Sequence, residues 1–366
     1  MNKPRQDALS VPLIELLAHP NYSTRVACAE ALRVFCHSTP LRLAQSAINV
    51  MELLQNDAAR ITSPTASADI QRRIVGHAYG LAALVSTISR RPLYVSYDLS
   101  AKILDIAVQL LKRAGEHEIG TSGIEIETAW TCIASLMTLG PNFVRAHLSQ
   151  FLVLWRNALP KPTSKDTSHT RTRTKADWSF LMRVKESALT AILNFLLHNS
   201  PSLVTLDVAR RLSSLLSNAL NFANAFIAQH KDEVGEALTT FDDPDALTTR
   251  EAMLRRRIFQ CFSSLGFSTL SDHTQEALLG STSQLFAGAD ALGSSAQATI
   301  ASSSGTFVSI WQSTDGYAYG VTSLQVTSGE QDDHPERREE EKPDFLNRDN
   351  VDVRLDELVC YCDSAG

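Results

Sequence analysis

Five cations lie in a stretch that is otherwise rich in serine and threonine. Segment 161–176 reads KPTSKDTSHTRTRTKA and has no apolar period, which is typical of an exposed loop interrupting a helical array. Two interpretations stay open: a solvated loop, or a docking or phosphorylation-controlled loop in which added phosphate would offset the positive charge. The candidate partner or regulatory residues are Lys161, Lys165, Arg171, Arg173 and Lys175.

Catalytic chemistry is not indicated anywhere in the chain. The sequence contains no GxxxxGK[ST], GxGxxG, HExxH or GxSxG motif, and the acidic residues of the first 280 positions are scattered. His77 lies beside the apolar stripe of a helical segment, so we interpret it as a core or rim histidine rather than a ligand. The sequence therefore predicts a non-enzymatic protein with no catalytic residue, cofactor or metal ligand.

The cysteines indicate a reducing compartment. There are six of them, none in a CxxC pair, and four lie in apolar helical segments, which is typical of buried free thiols. No stretch has the 18 or so apolar residues of a membrane span, and the N-terminal residues lack a signal-peptide core. We expect a cytosolic protein that contacts membranes only through partners. The cysteines are Cys28, Cys36, Cys132, Cys261, Cys360 and Cys362.

The overall composition indicates a globular chain and disfavours general nucleic-acid binding. Hydrophobic residues make up 44% of the 366 residues and charged residues 20%, so most of the chain can form a core. The formal net charge of -6 disfavours general nucleic-acid binding, which needs a dense positive surface to displace counterions.

The stretch from Ile124 to Pro160 carries the clearest helical pattern. Apolar residues recur at spacings of three and four on both sides of Leu139-Gly140-Pro141, which is the period of one helix face. Gly140 suits the left-handed position that ends a helix, and Pro141 suits the first turn of the next. We expect a helical hairpin with a tight turn. Ser122 and Glu125 have the spacing of a capping box at its start.

Similar helix pairs recur along the chain. Second helices are predicted to start near residues 23, 68, 122, 177 and 244, at intervals at or above the period of about 40 to 47 residues of HEAT repeats. This predicts an all-α fold, an α-solenoid of about five HEAT-like helical hairpins over residues 1–287. On the helix predicted to begin at Asp243-Pro244, Arg255, Arg256 and Arg257 spread around the axis and are interpreted mostly as a solvated face.

The composition changes after residue 287. Residues 288–327 form a predicted Ser/Ala/Gly-rich linker with short aromatic islets. Residues 328–366 form a predicted acidic tail, whose charge run indicates that it is disordered.

Several runs of residues carry a resemblance to a known family. Leu136–Leu148 (LMTLGPNFVRAHL), continuing into Leu152–Asn157 (LVLWRN), resembles a stretch of the large HEAT-repeat proteins that accompany the clathrin adaptor of the trans-Golgi network and endosomes (the fifth type of HEAT-repeat-containing protein). Three further runs are similar to the same family: His19–Arg33 (including Arg25-Val26), Tyr79–Leu84 and Gly316–Thr322. The resemblance covers most of residues 10–325 and matches an internal part of the N-terminal half of much longer proteins.

The resemblance implies a non-enzymatic scaffold in vesicle transport between endosomes and the trans-Golgi network. Such a protein would support clathrin adaptor localisation by binding adaptor subunits or their accessory proteins, peripheral to those membranes. The resemblance supplies no individual binding residue. An alternative stays open: a HEAT-type regulatory or assembly factor for a kinase or transport receptor, with loop 161–176 as its switch. Self-association also stays open.

Overall fold

Every regular element in the described part of the chain is helical. The computed structural model describes residues 3–62, 68–162, 173–229 and 247–265, together with residues 275, 278 and 280. The all-α prediction is confirmed for these residues, which contain no strand. Their α-helices are α1 (Lys3–Leu16), α2 (Tyr22–Ser38), α3 (Leu43–Arg60), α4 (Ala68–Ile88), α5 (Tyr97–Ala114), α6 (Ile119–Met137), α7 (Pro141–Ala158), α8 (Lys175–Leu203), α9 (Leu206–Gln229) and α10 (Leu247–Leu265). Two short 3-10 helices occupy Pro40–Arg42 and Pro92–Tyr94.

The predicted second helices correspond to the even-numbered helices. Helices α2, α4, α6 and α8 each begin within about one turn of the position that the sequence indicated. The predicted linker 288–327, the predicted tail 328–366 and the helix start at Asp243-Pro244 lie outside the described residues. The chain divides into two compact units, with residues up to Val144 in unit 1 and the following helices in unit 2.

Unit 1 is organised around α4. Helices α1 and α2, α3 and α4, and α5 and α6 pack as sequential pairs, while α4 also contacts α2 and α6. The residues of α4 from Ile74 to Ile88 are all buried, because neighbours cover the helix on several sides. A helix that is apolar around most of its circumference must be enclosed in this way to stay out of water.

Two glycines of α4 allow an unusually close approach by the chain that follows α1. A Cβ atom added at Gly76 would lie 1.8 Å from the carbonyl oxygen of Leu17, and one at Gly80 would lie 2.4 Å from a Leu17 methyl carbon. Leu17 is fully buried against this surface. The glycines are therefore packing residues, since no larger side chain fits between α4 and Leu17.

The turn before α2 is closed by the arginine that the HEAT-like pattern singled out. Nη1 of Arg25 donates hydrogen bonds to the carbonyl oxygens of His19 and Pro20, both at 2.9 Å. Asn21 caps the helix by accepting from the backbone N–H of Thr24 at 3.1 Å. Helix α2 is thus tied to the preceding turn through both its backbone and a buried side chain.

The turn between α6 and α7 has the predicted chemistry. Helix α6 ends at Met137, Gly140 has a φ of 87°, and Pro141 is the first residue of α7. The capping-box prediction for Ser122 and Glu125 is wrong. Helix α6 begins earlier, at Ile119, so both residues lie inside it and are buried.

Unit 2 is built from α8 packed against α10, with α9 also contacting α10. The ring of Trp155 on α7 lies 5.5 Å from that of Phe195 on α8, and Trp178 lies 5.2 Å from both Phe222 and Phe226 on α9. Such tilted and edge-to-face aromatic pairs contribute about 0.5–1.5 kcal/mol each beyond the area they bury. The apolar faces that the sequence predicted in this half of the chain therefore meet each other.

Candidate protein-binding cleft

A cleft of about 1020 Å³ lies in unit 2 between α7 and α9. On α7 it is lined by residues spaced as one helix face, and on α9 by Arg211, Ser214, Leu215 and Asn218, which are again three and four apart. Two helix faces that do not fully close on each other leave such a groove. The α7 side consists of Ser149, Leu152, Val153, Arg156, Asn157, Leu159, Pro160 and Lys161, the last three just beyond the helix.

The cleft combines an apolar floor with a basic rim. Leu159 and Leu215 are buried at its base, while Val153 is 45% exposed. Arg156, Lys161 and Arg211 are exposed at the rim, and no carboxylate is among the described residues that line the cleft. Apolar walls with a few polar groups at the edge are the usual lining of a binding groove.

One hydrogen bond joins the two walls. Nδ2 of Asn218 donates to the carbonyl oxygen of Leu159 at 3.2 Å, just beyond the end of α7. A carbonyl at a helix C-terminus has no partner within its own helix, so Asn218 satisfies a group that would otherwise need water. This contact holds the floor of the cleft at a defined width.

The predicted basic residues that the structure describes have different surroundings. Lys161 lies at the rim of the cleft, and Lys175 is exposed as the first residue of α8. Arg173 stacks on an aromatic ring instead, with its guanidinium carbon 5.0 Å from the centre of the Trp178 ring. Lys165 and Arg171 lie outside the described residues.

The end of the predicted loop is defined by a helix cap. Thr174 and Asp177 form a reciprocal capping box, with Asp177 Oδ2 accepting from the Thr174 backbone N–H at 3.1 Å and from its hydroxyl at 2.8 Å. These hydrogen bonds lower the pKa of the Asp177 carboxyl. The last two residues of segment 161–176 are therefore helical.

A buried ionic cluster joins α3 to α4 in unit 1. Arg73 donates from Nε and Nη2 to the two carboxylate oxygens of Asp57, at 3.1 and 3.0 Å, and Nδ1 of His77 lies 3.1 Å from Asp57 Oδ2. Burial lowers the pKa of His77 to about 4, although the Asp57 carboxylate opposes that shift. The interpretation of His77 as a core residue is confirmed, because it is 2% exposed.

Helix α6 carries two further buried carboxylates. Glu125 lies 2.6 Å from Nδ1 of His117 and 3.5 Å from Nη2 of Arg113, and Glu127 accepts from the hydroxyl of Tyr79 at 3.3 Å. These contacts tie α6 to the end of α5 and to α4. Each carboxylate is thus held by protein groups, and neither lines the cleft between α7 and α9.

The prediction of a solvated face for the three arginines of α10 is wrong. Arg255, Arg256 and Arg257 are only 6%, 9% and 2% exposed. Helix α10 is covered by both α8 and α9, so side chains that spread around its axis still meet protein. Arg255 donates hydrogen bonds to Glu251 at 2.8 Å and to Asn224 of α9 at 3.0 Å. Arg257 donates to Gln260 at 2.6 Å and to Glu186 of α8 at 3.5 Å.

The buried thiols are poorly suited to nucleophilic chemistry. Burial raises the pKa of Cys36 to about 11 and the pKa values of Cys132 and Cys261 to about 12, so the reactive thiolate is scarce at neutral pH. In the described ranges, no three His, Cys, Asp or Glu side chains are grouped so that they could hold a metal ion. None of the described helices is long and apolar enough to cross a membrane.

Sequence reasoning missed the α9 wall of the cleft. On α7, the residues three and four positions from Val153 are polar, so this apolar residue on a polar helix face was a visible signal of an uncovered apolar site. On α9, Arg211 and Asn218 read as ordinary surface residues, and only the packing of the two helices places them opposite α7.

Comparison with known proteins gives a distant relative to set beside this geometry. The chain is 22% identical over 222 residues to the AP-1 accessory protein LAA1 of Saccharomyces cerevisiae. The match covers 60% of this chain but 10% of that relative, so the chain spans a small part of the longer protein. No protein-family model and no solved structure matches the chain.

Proposed function

We propose that the chain is a non-enzymatic α-solenoid scaffold of HEAT-like hairpins in vesicle transport between endosomes and the trans-Golgi network. In this proposal it supports clathrin adaptor localisation by binding adaptor subunits or their accessory proteins, in the cytoplasm at the surface of those membranes. The observation that carries it is the similarity to an AP-1 accessory protein over 222 residues.

The helix pairs support the scaffold part of the proposal. In unit 1 each sequential pair packs against the next through its even-numbered helix, as α2, α4 and α6 do. Repeats that contact only their neighbours expose long outer surfaces, and those surfaces are what such scaffolds use for binding. The ionic clusters of the core fit the same role, because they join helices rather than line an open site.

The test is affinity purification of the endogenous protein, with its intact mass measured on the same sample. We expect adaptor subunits or their accessory proteins among the co-purifying chains. The mass distinguishes a protein of the 40.1 kDa given by this sequence from a longer protein that contains it. A folded protein that recovers none of these partners would contradict the proposal.

A second candidate is a regulatory or assembly factor for a kinase or transport receptor, with segment 161–176 as a switch. The basic residues at both ends of that segment favour it, since phosphate on its serines or threonines would change their charge balance. Replacing residues 163–172 with a Gly-Ser linker of equal length retains Thr174 and the α8 cap. This candidate predicts that the replacement abolishes partner binding with unchanged helix content, whereas the adaptor scaffold predicts retained binding.

A further inference from the structure

The cleft between α7 and α9 is lined by positively charged side chains. Its lining has three cationic side chains and no carboxylate among the described residues, although the whole chain carries a net charge of -6. Among the described residues, Asp207 lies 3.0 Å from Arg211, in a pair whose side chains are both more than half exposed. Such exposed pairs contribute little and exchange partners readily. The electrostatic preference of the cleft is therefore for an anionic occupant.

The apolar floor adds a second requirement. Leu152, Val153 and Leu215 line the same cleft as the three cations, so a small inorganic anion would leave these apolar side chains without a partner. The helical part of the α7 wall, from Ser149 to Asn157, is about 12 Å long at a rise of about 1.5 Å per residue. That length accommodates about four residues of an extended peptide. Asn157 is exposed and also offers a side-chain amide.

We propose that this cleft binds a short acidic segment of a partner protein, with an apolar side chain seated on the floor and carboxylates facing Arg156, Lys161 and Arg211. The inference rests on the proposed scaffold function and names the chemistry of the segment that the scaffold would bind. The apolar side chain supplies affinity by leaving water, and the carboxylates select the partner and its orientation.

The experiment is fluorescence anisotropy with the full chain and a labelled probe peptide, Glu-Asp-Asp-Phe-Glu-Asp-Leu. We expect saturable binding that weakens as salt rises, because exposed charges are screened within about 10 Å at 0.1 M salt. A peptide with Ser in place of Phe and Leu, and one with Lys in place of every acid, should each bind at least about tenfold more weakly. Equal binding of all three peptides, or no binding of the first, overturns the proposal.

Matched variants locate the site. The double variant R156E/R211E should weaken probe binding at least about tenfold, since like charges across an interface repel strongly. The control is R145E/R210E, which reverses one exposed arginine on each of the same two helices outside the cleft lining. Circular dichroism confirms that both variants keep their helix content. Equal loss in the two variants would show a general charge effect and overturn the assignment to the cleft.

Two further outcomes separate this inference from the function on which it rests. If R156E/R211E loses the probe but still co-purifies adaptor subunits, the cleft binds a different segment and the scaffold proposal stands. If the probe binds at the cleft while no adaptor subunit co-purifies with the native protein, the cleft assignment stands and the adaptor role fails. Sedimentation with phosphatidylserine vesicles that is lost in R156E/R211E, with no peptide binding, would identify a membrane-surface site and overturn the peptide proposal.

Discussion

The buried histidine of α4 shows how one side chain can make stability depend on pH. His77 has an ordinary pKa of 6.5 and a folded-state pKa of about 4, chiefly because burial disfavours its charged form. Between these values the unfolded chain takes up a proton that the folded chain excludes. The neutral ring therefore contributes stability that is complete above pH 6.5 and is lost as the pH falls towards 4.

We predict that the free energy of unfolding falls more steeply between pH 6.5 and 4.5 in the wild type than in His77→Gln. The difference in slope should be at most about 1.4 kcal/mol per pH unit, the value for one proton. Urea unfolding followed by circular dichroism at several pH values measures it. Carboxylates titrate in both proteins, so their contribution cancels in the comparison. Identical slopes would show that His77 is not held neutral in the folded state.

At the scale of helices, the packing of α4 depends on what its glycines lack. The carbonyl oxygen of Leu17 occupies the place of a side chain at Gly76, whereas Gly120 on α6 has no atom within 4 Å of an added Cβ. The two glycines are thus equivalent in chemistry and opposite in environment. One is required by a neighbouring backbone, and the other only adds flexibility to the unfolded chain.

We predict opposite effects of the same substitution at these two positions. Gly76→Ala should lower the free energy of unfolding by about 1–3 kcal/mol, because a backbone oxygen must move to admit the methyl group. Gly120→Ala should raise it by about 0.5–1 kcal/mol, because alanine favours the helix more than glycine does. Thermal unfolding of both variants checks the signs. A neutral result at Gly76 would contradict the close approach of Leu17 to α4.

At the scale of the whole molecule, the opening of each unit can be measured at one fully buried thiol. Cys132 in unit 1 and Cys261 in unit 2 are both fully buried, and burial raises both pKa values to about 12. Alkylation of either sulfur therefore requires the surrounding helices to open. Cys28 in unit 1 is 8% exposed and provides an internal comparison.

We predict that iodoacetamide modifies Cys28 faster than Cys132 or Cys261 in the native protein. In increasing urea, modification of each buried thiol should follow the loss of helix in its own unit. Mass spectrometry of the digested protein quantifies each cysteine in one sample. Rapid modification of Cys132 or Cys261 without urea would contradict the burial described for that unit.

The sequence by itself determined the helices and much of their order. Periodic apolar residues predicted the all-α fold, and Gly140-Pro141 predicted the turn between α6 and α7, because these features depend on local backbone chemistry. Helix starts were also recovered to within about a turn. The Ser122 and Glu125 capping box failed because a matching spacing can occur inside a helix as readily as at its start.

Only the tertiary structure decided which polar residues are buried and which surfaces stay open. Arg255, Arg256 and Arg257 look like a solvated face along the chain, yet helices from distant positions cover them. Likewise, the basic residues of segment 161–176 were a visible cluster, but the cleft is lined by Lys161 together with Arg211 of α9 and not by Arg173. Burial and cavities are created by residues far apart in sequence, so no local pattern records them.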